Sequence, residues 1–395
     1  MKPRLKPSTA ASLLLLPLVG AALMTDWRFW SRAATYPKTE ITSTIWYRPQ
    51  APVPGQGGGP LPRAQALSLS PAALQEASRF AQAQNSTALI VLHRGQVVLE
   101  EYWQGYSPDS LSNSMSMAKS ILALLIGIAI EEGHIGSVDD RVADYIPEWA
   151  NDSRGDLTLA DLLYMQSGLR NDDRTNTPAS DLVNLYLSSN VEKKTLRIPQ
   201  VMPPRQIYDY NNVNSQVLSI VLERATGENY ADYLSSRLWQ PLQASDAFVW
   251  LDRPGGQAKT FCCLFATPQD WVRVGQLLLN RGRVGSRQVV PEPWIDQMLQ
   301  ESPIEPTFGY HIWIKARTAD YPNVDQAASA PFLAADTLYL DGRGHQRVYV
   351  IPSRELVIVR IGELPAAWDD AVLPNLLVKS LDSNIAAPKS SDNGN

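Results

Sequence analysis

Residues 116–132 read SMAKSILALLIGIAIEE, and the run stops at Gly133. Beyond Ala118 the only polar side chains before Glu131 are Lys119 and Ser120. A helix with no polar face must be buried on most of its sides, and glycine commonly follows a helix end. Ser116 and Lys119 open this helix three residues apart, so they share a face within reach of each other. The positive helix N-terminus favours an alkoxide there and disfavours a charged lysine. Burial beside Ile121, Leu122 and Leu125 would lower the amine further from its ordinary pKa of roughly 10.4. A drop of about three units corresponds to roughly 4 kcal/mol. A neutral lysine could then act as a base toward the serine. On its own, Ser-x-x-Lys is a weak signal: on the order of one arises by chance in a chain this long, as a capping serine and a surface lysine. The apolar helix behind it separates the two readings.

On the N-terminal side, Ser70-Pro71 reads as a cap and first turn of a helix through Gln84. Thr87–His93 and Gln96–Trp103, joined by Arg94-Gly95, read as a β-hairpin. On the C-terminal side, roughly 134–300 reads as a helical lobe, with helices predicted at Thr158–Gln166, Val213–Thr226, Pro268–Arg281 and Pro291–Leu299. Strands return at Tyr310–Lys315, Thr337–Leu340, Gln346–Ile351 and Leu356–Ile361, before a closing helix over Ala366–Leu381. Strands at both ends of the chain therefore bracket a helical middle. The fold class is α+β: one antiparallel sheet flanked by helices, with an inserted all-helical lobe and a cleft between the two.

The whole chain has 395 residues, 44% hydrophobic and 19% charged, as a globular protein with a sizeable core should. Its net charge of −5 gives no basic footprint, so nucleic acid is excluded as an expected partner and a small-molecule substrate is favoured. Lys2, Arg4 and Lys6 precede an apolar run from Ala10 to Met24, the pattern of an export signal. Residues 1–35 thus read as a signal peptide cut near Ala33–Ala34 or as an inner-membrane anchor, with Trp27, Phe29 and Trp30 at the interface. Either way the protein is expected in the periplasm. Residues 36–69 read as a leader whose stretch 49–62, PQAPVPGQGGGPLP, forms a loop or linker; 70–382 is the main domain and 383–395 a disordered tail.

Other chemistries find little support. HExxH, CxxC, Walker A, GxGxxG and Gly-x-Ser-x-Gly patterns are absent, so no metal or cofactor is expected. Cys262 and Cys263 are adjacent, a spacing that seldom suits a disulfide, and read as a buried apolar loop. Tyr210-Asn211-Asn212 precedes the helix near Val213. Tyr210 could relay a proton there and Asn212 hold the lysine or a substrate carbonyl, although a plain capped loop reads equally well. In Thr337–Gln346 (TLYLDGRGHQ) a strand enters a turn where Gly342 and Gly344 permit close backbone approach or simply supply positive φ. A strand N–H there, together with that of Ser116, could form an oxyanion hole. His345 could touch a substrate or be structural.

Taken in order, Ser116-x-x-Lys119, Tyr210-x-Asn212 and the Gly-rich late strand resemble the serine β-lactamase and penicillin-binding-protein superfamily. The likeness is to its class C-like branch of esterases, D-amino-acid peptidases and 6-aminohexanoate-dimer hydrolases. Leu162–Leu169 (LLYMQSGL) and Glu131–Pro147 (EEGHIGSVDDRVADYIP) are similar to stretches of that branch. The resemblance implies Ser116 as the acyl-accepting nucleophile, Lys119 as its base, Tyr210 as proton relay and Asn212 as the second-motif amide. It implies an oxyanion N–H within 338–345, with Leu340 as the expected donor and Gly344 and His345 as supporting residues. The third motif, Lys-Thr-Gly or His-Thr-Gly, is missing, so an ester or amide substrate is expected in preference to a β-lactam or D-Ala-D-Ala. A non-catalytic cell-wall or β-lactam sensor, and a structural envelope protein, are the alternatives.

Overall fold

The computed structural model describes residues 26–37, 40–172, 177–321 and 323–386. The apolar run 10–24 and the tail from 387 lie outside them. Among the described residues no helix is long and apolar enough to cross a membrane.

A five-stranded antiparallel sheet has the order β3-β2-β11-β10-β9, with β2 Ser86–His93, β3 Gln96–Tyr102, β9 Leu338–Gly342, β10 Gln346–Ile351 and β11 Leu356–Gly362. Every residue of β2 and of β11 is buried, because the sheet is covered on both faces. The two-residue period of a strand divides them cleanly. Leu89, Val91 and Ile358 pack with Leu74, Ala77 and Ala81 of helix α2 (Pro71–Ala83) and with Leu373 and Leu377 of the C-terminal helix Val372–Ala386. Ala88, Ile90, Val357 and Val359 face the other, larger core, which holds the helix after Ser116. That helix is α3, Ala118–Glu131, buried from Ala118 to Ala129. Its Gly127 makes room for the Trp294 indole, which donates to Ala123 O at 3.1 Å.

Several expectations are corrected. The hairpin, the late strands and α3 form as read, but Tyr310–Lys315 is not a strand. It folds on itself through a bond from Gly309 N to Ile312 O, with His311 at φ +52°, and only Trp313 bridges to Tyr339 of β9. Its apolar character reflects burial under the lobe, not a ladder. The Pro/Gly-rich stretch is not all linker, since β1 (Gln50–Val53) forms the edge of a second sheet, order β1-β5-β6-β4. An edge position tolerates Pro52, whose missing N–H removes no ladder bond there. The other strands of that sheet are β4 (Ser112–Asn113), β5 (Ala247–Trp250) and β6 (Leu264–Ala266).

The span 134–300 is therefore not all helical lobe. The helix Pro268–Leu279 packs on β10 and β11, with Gly275 against Val348 and Val357. Cys262 and Cys263 are joined in a disulfide between neighbours, with Cys263 at φ +75°. The turn places both sulfurs on one side in a buried loop, which sequence adjacency alone does not reveal. The closing helix runs to Ala386, past the expected start of the tail at 383.

Candidate active site

Ser116 sits where a strand turns sharply into a helix. After β4, Met115 adopts φ +49°, residues 115–117 form a 3₁₀ turn, and α3 follows. A non-glycine residue in the left-handed region costs about 1–3 kcal/mol and persists only where its surroundings hold it. Here Met115 N donates to Asn113 Oδ1 at 3.0 Å, Ser114 N donates to Leu264 O of β6 at 3.0 Å, and Leu264 N donates back to Ser114 Oγ at 3.2 Å. The result turns Ser116 outward: from 112 to 129 it alone is not fully buried.

Lys119 is 1% exposed. Its Nζ donates to Ser116 Oγ at 2.9 Å and to Phe261 O at 2.7 Å. Among the described residues no carboxylate pairs with it directly, and burial pulls its pKa down to about 7 against the opposing pull of Asp341. The amine lies 5.0 Å from the ring centre of Tyr210. Burial raises the Tyr210 phenol well above its ordinary value, Asp341 adds to this, and the hydrogen-bonding Ser116 hydroxyl opposes it. The same three-residue cluster thus holds a lysine that gives up its proton easily and a tyrosine that keeps its own. Environments that push two titrating groups apart are the physical basis for separate base and acid roles.

The LLYMQSGL stretch sets the tyrosine. Met165 at φ +56° offers its carbonyl to Asp209 N at 2.8 Å, and Asn171 donates to Tyr210 O at 3.1 Å. Asn211, not Asn212, is the ordering amide: it caps the helix Asn212–Thr226 and donates to Leu169 O at 3.0 Å. Asn212 begins that helix and does not line the cavity beside Ser116.

The late strand also differs from expectation. Tyr339 exchanges both backbone bonds with Trp313 on the outer edge of β9, at 3.1 and 2.8 Å. The alternation of a strand then turns Leu340 N–H inward to Val348 of β10, and Asp341 N–H outward to the edge that packs on residues 115–117. Leu340 is fully buried and its donor is used within the sheet. Gly342 lies against Ser114 O with no room for a Cβ. Gly344 (φ +81°) packs on Ile41, and its carbonyl accepts from Arg360. His345 bonds Arg347 at 2.9 Å and stacks on Trp368; burial, then Arg347, lowers it to about 4. Neither Gly344 nor His345 lines the cavity.

The cavity holds about 660 Å³. One wall is apolar, with Leu169, Ile207, Tyr208, Tyr210 and Trp313, and the charged side chains Arg170, Asp209, Arg317, Asp325, Asp341 and Arg343 also line the cavity. Asp341 is paired with Arg317 at 2.6 Å and with the fully buried Arg347, which also holds Asp370 at 2.7 Å. Arg170 is paired with Asp181 at 2.8 Å. Sequence reading missed Trp313 and Arg317, which long loops bring to the cavity without a motif of their own, and Asp341, whose place on β9 reads as strand and not as cavity wall. Among the described residues no His, Cys, Asp and Glu group could hold a metal ion.

A family model described as Beta-lactamase matches residues 72–366. A 6-aminohexanoate-dimer hydrolase of Paenarthrobacter ureafaciens is 28% identical over 231 residues, 54% of this chain and 56% of that protein. The chain thus spans little more than half of that relative, and 38% of a penicillin-binding protein 4 of Amycolatopsis lactamdurans at 28% identity over 38% of this chain. Among solved structures, a candidate 6-aminohexanoate-dimer hydrolase from Bacillus anthracis superposes with TM-score 0.71 and 21% identity, covering 89% of this chain and 95% of that one.

Proposed function

Because the chain belongs to the β-lactamase family, a family of serine hydrolases, we propose that it cleaves an ester or amide bond through an acyl-enzyme on Ser116. The observation that carries the reading is the 2.9 Å bond between Ser116 Oγ and a buried lysine amine whose pKa is pulled down to about 7. Neutral Lys119 takes the Ser116 proton as Oγ attacks the substrate carbonyl carbon. The N–H groups of Ser116 and Asp341 are the donors for the resulting oxyanion. Tyr210 hands its proton to the departing nitrogen or oxygen and recovers one from Lys119. Water then attacks the acyl carbon and gives a proton to neutral Lys119, which passes it to the displaced Ser116 oxygen as the acid is released. The similarity to a 6-aminohexanoate-dimer hydrolase supports an amide or ester of a short linear acid over a β-lactam, as does the absence of a Lys-Thr-Gly motif. We also propose export, with the 10–24 run as its signal or anchor.

The test is intact-mass spectrometry after treatment with a fluorophosphonate, alongside Ser116→Ala. A single adduct on the natural protein, lost in the variant, is expected. No adduct on the natural protein would leave a binding module as the better reading.

A further inference from the structure

Arg343 is the lining cation of the cavity for which no ion pair forms among the described residues. The other two guanidiniums are neutralised in place, Arg170 by Asp181 and Arg317 by Asp341. The position of Arg343 is fixed by its neighbours. Gly342 is pressed on Ser114 O, two residues before Ser116, and Gly344 is pressed on Ile41, so the residue between them is held at the mouth beside the nucleophile. The Arg343 side chain is exposed at the cavity. An arginine offers five donors in a planar fork that matches a carboxylate. The apolar wall of Leu169, Ile207 and Trp313 suits a hydrocarbon chain. Of the lining carboxylates, Asp341 is already paired, Asp209 receives the Asn171 amide at 2.8 Å, and Asp325 belongs to the separate, exposed 323–325 segment.

From this geometry we infer that Arg343 is a specificity-determining residue that binds a carboxylate on the substrate, and that the substrates are esters or amides with a short hydrocarbon arm ending in an anion. The inference rests on the hydrolase reading above for its reaction and on the cavity alone for its recognition.

The experiment compares mono-4-nitrophenyl adipate with its methyl-capped diester, on the natural protein, Arg343→Gln and Arg343→Lys. The natural protein should favour the half-ester in kcat/KM. Arg343→Gln should lower the half-ester to diester ratio about tenfold, mainly through KM, as expected for one charge-assisted contact. Arg343→Lys should recover part of it, and added salt should erode it. Binding of monomethyl adipate against dimethyl adipate to Ser116→Ala, measured by calorimetry, reads the preference without turnover. Equal binding of the two, or a ratio untouched by Arg343→Gln, overturns the assignment of Arg343. A retained, Arg343-dependent preference in a protein that hydrolyses neither ester upholds it and overturns the hydrolase reading alone.

Discussion

Lys119 carries an electrostatic consequence for both activity and stability. Its folded pKa, near 7, lies below its ordinary value of 10.5, so the folded protein binds fewer protons than the unfolded chain between these values. Activity and stability therefore move together. The limb of kcat/KM that reports the base should rise with pH through about 7, which a pH–rate profile on a 4-nitrophenyl ester reads directly. Stability should also rise from about pH 7 toward 10.5, and Lys119→Met should be more stable than the natural protein at pH 7, by about 2–4 kcal/mol. That advantage should shrink as the pH approaches 10.5; equal melting temperatures across the range would contradict a depressed lysine. Tyr210→Phe keeps the ring that stacks on Trp313, so it should melt normally while turnover falls by about 10²–10³-fold.

At the level of elements, the site depends on how closely β9 approaches the turn that carries Ser116. Gly342→Ala would drive a methyl group into Ser114 O, which is backbone and cannot swing away. It should cost about 1–3 kcal/mol in chemical denaturation and reduce kcat, because the edge N–H of Asp341 retreats from Ser116. Legibility followed the range of the interaction. Helix α3, the β2–β3 hairpin and the Ser116–Lys119 pair are local, set by 3.6- and 2-residue periods and by a three-residue spacing, and all were readable. Trp313 beside Tyr339, and Arg317 on the cross-strand Asp341–Arg347 pair, depend on which loop meets the sheet in space, and no periodicity encodes that. The edge N–H of the late strand fell between the two. The strand was legible, but whether Leu340 or Asp341 faced outward hinged on the single bridge from Trp313, and a one-residue change of phase reverses every position.

On the scale of the whole molecule, the N-terminal helix α1 (Trp27–Thr35) is part of the folded body. Arg32 is 8% exposed and donates to Leu187 O, Ser188 O and Asp252 O at 2.8–3.1 Å, tying that helix to the lobe. Arg32→Ala leaves these carbonyls without their donor and should cost about 2–4 kcal/mol in thermal or denaturant unfolding. Phe29 is buried in this dock, whereas Trp27 is 62% exposed, so the aromatic trio read as a membrane-interface belt divides between protein and surface.

The strand order has a further consequence, in time. The central strand β2, at 86–93, pairs with β11, at 356–362, and Ser116 is braced by segments as distant as 264 and 342. A chain emerging from the ribosome or threading a translocation pore from its N-terminus cannot complete its sheet until nearly all of it has arrived. The proposed nucleophile is thus among the earlier residues to appear and among the last to be set in place, and a prematurely released fragment would carry Ser116 and Lys119 without the walls of their cavity.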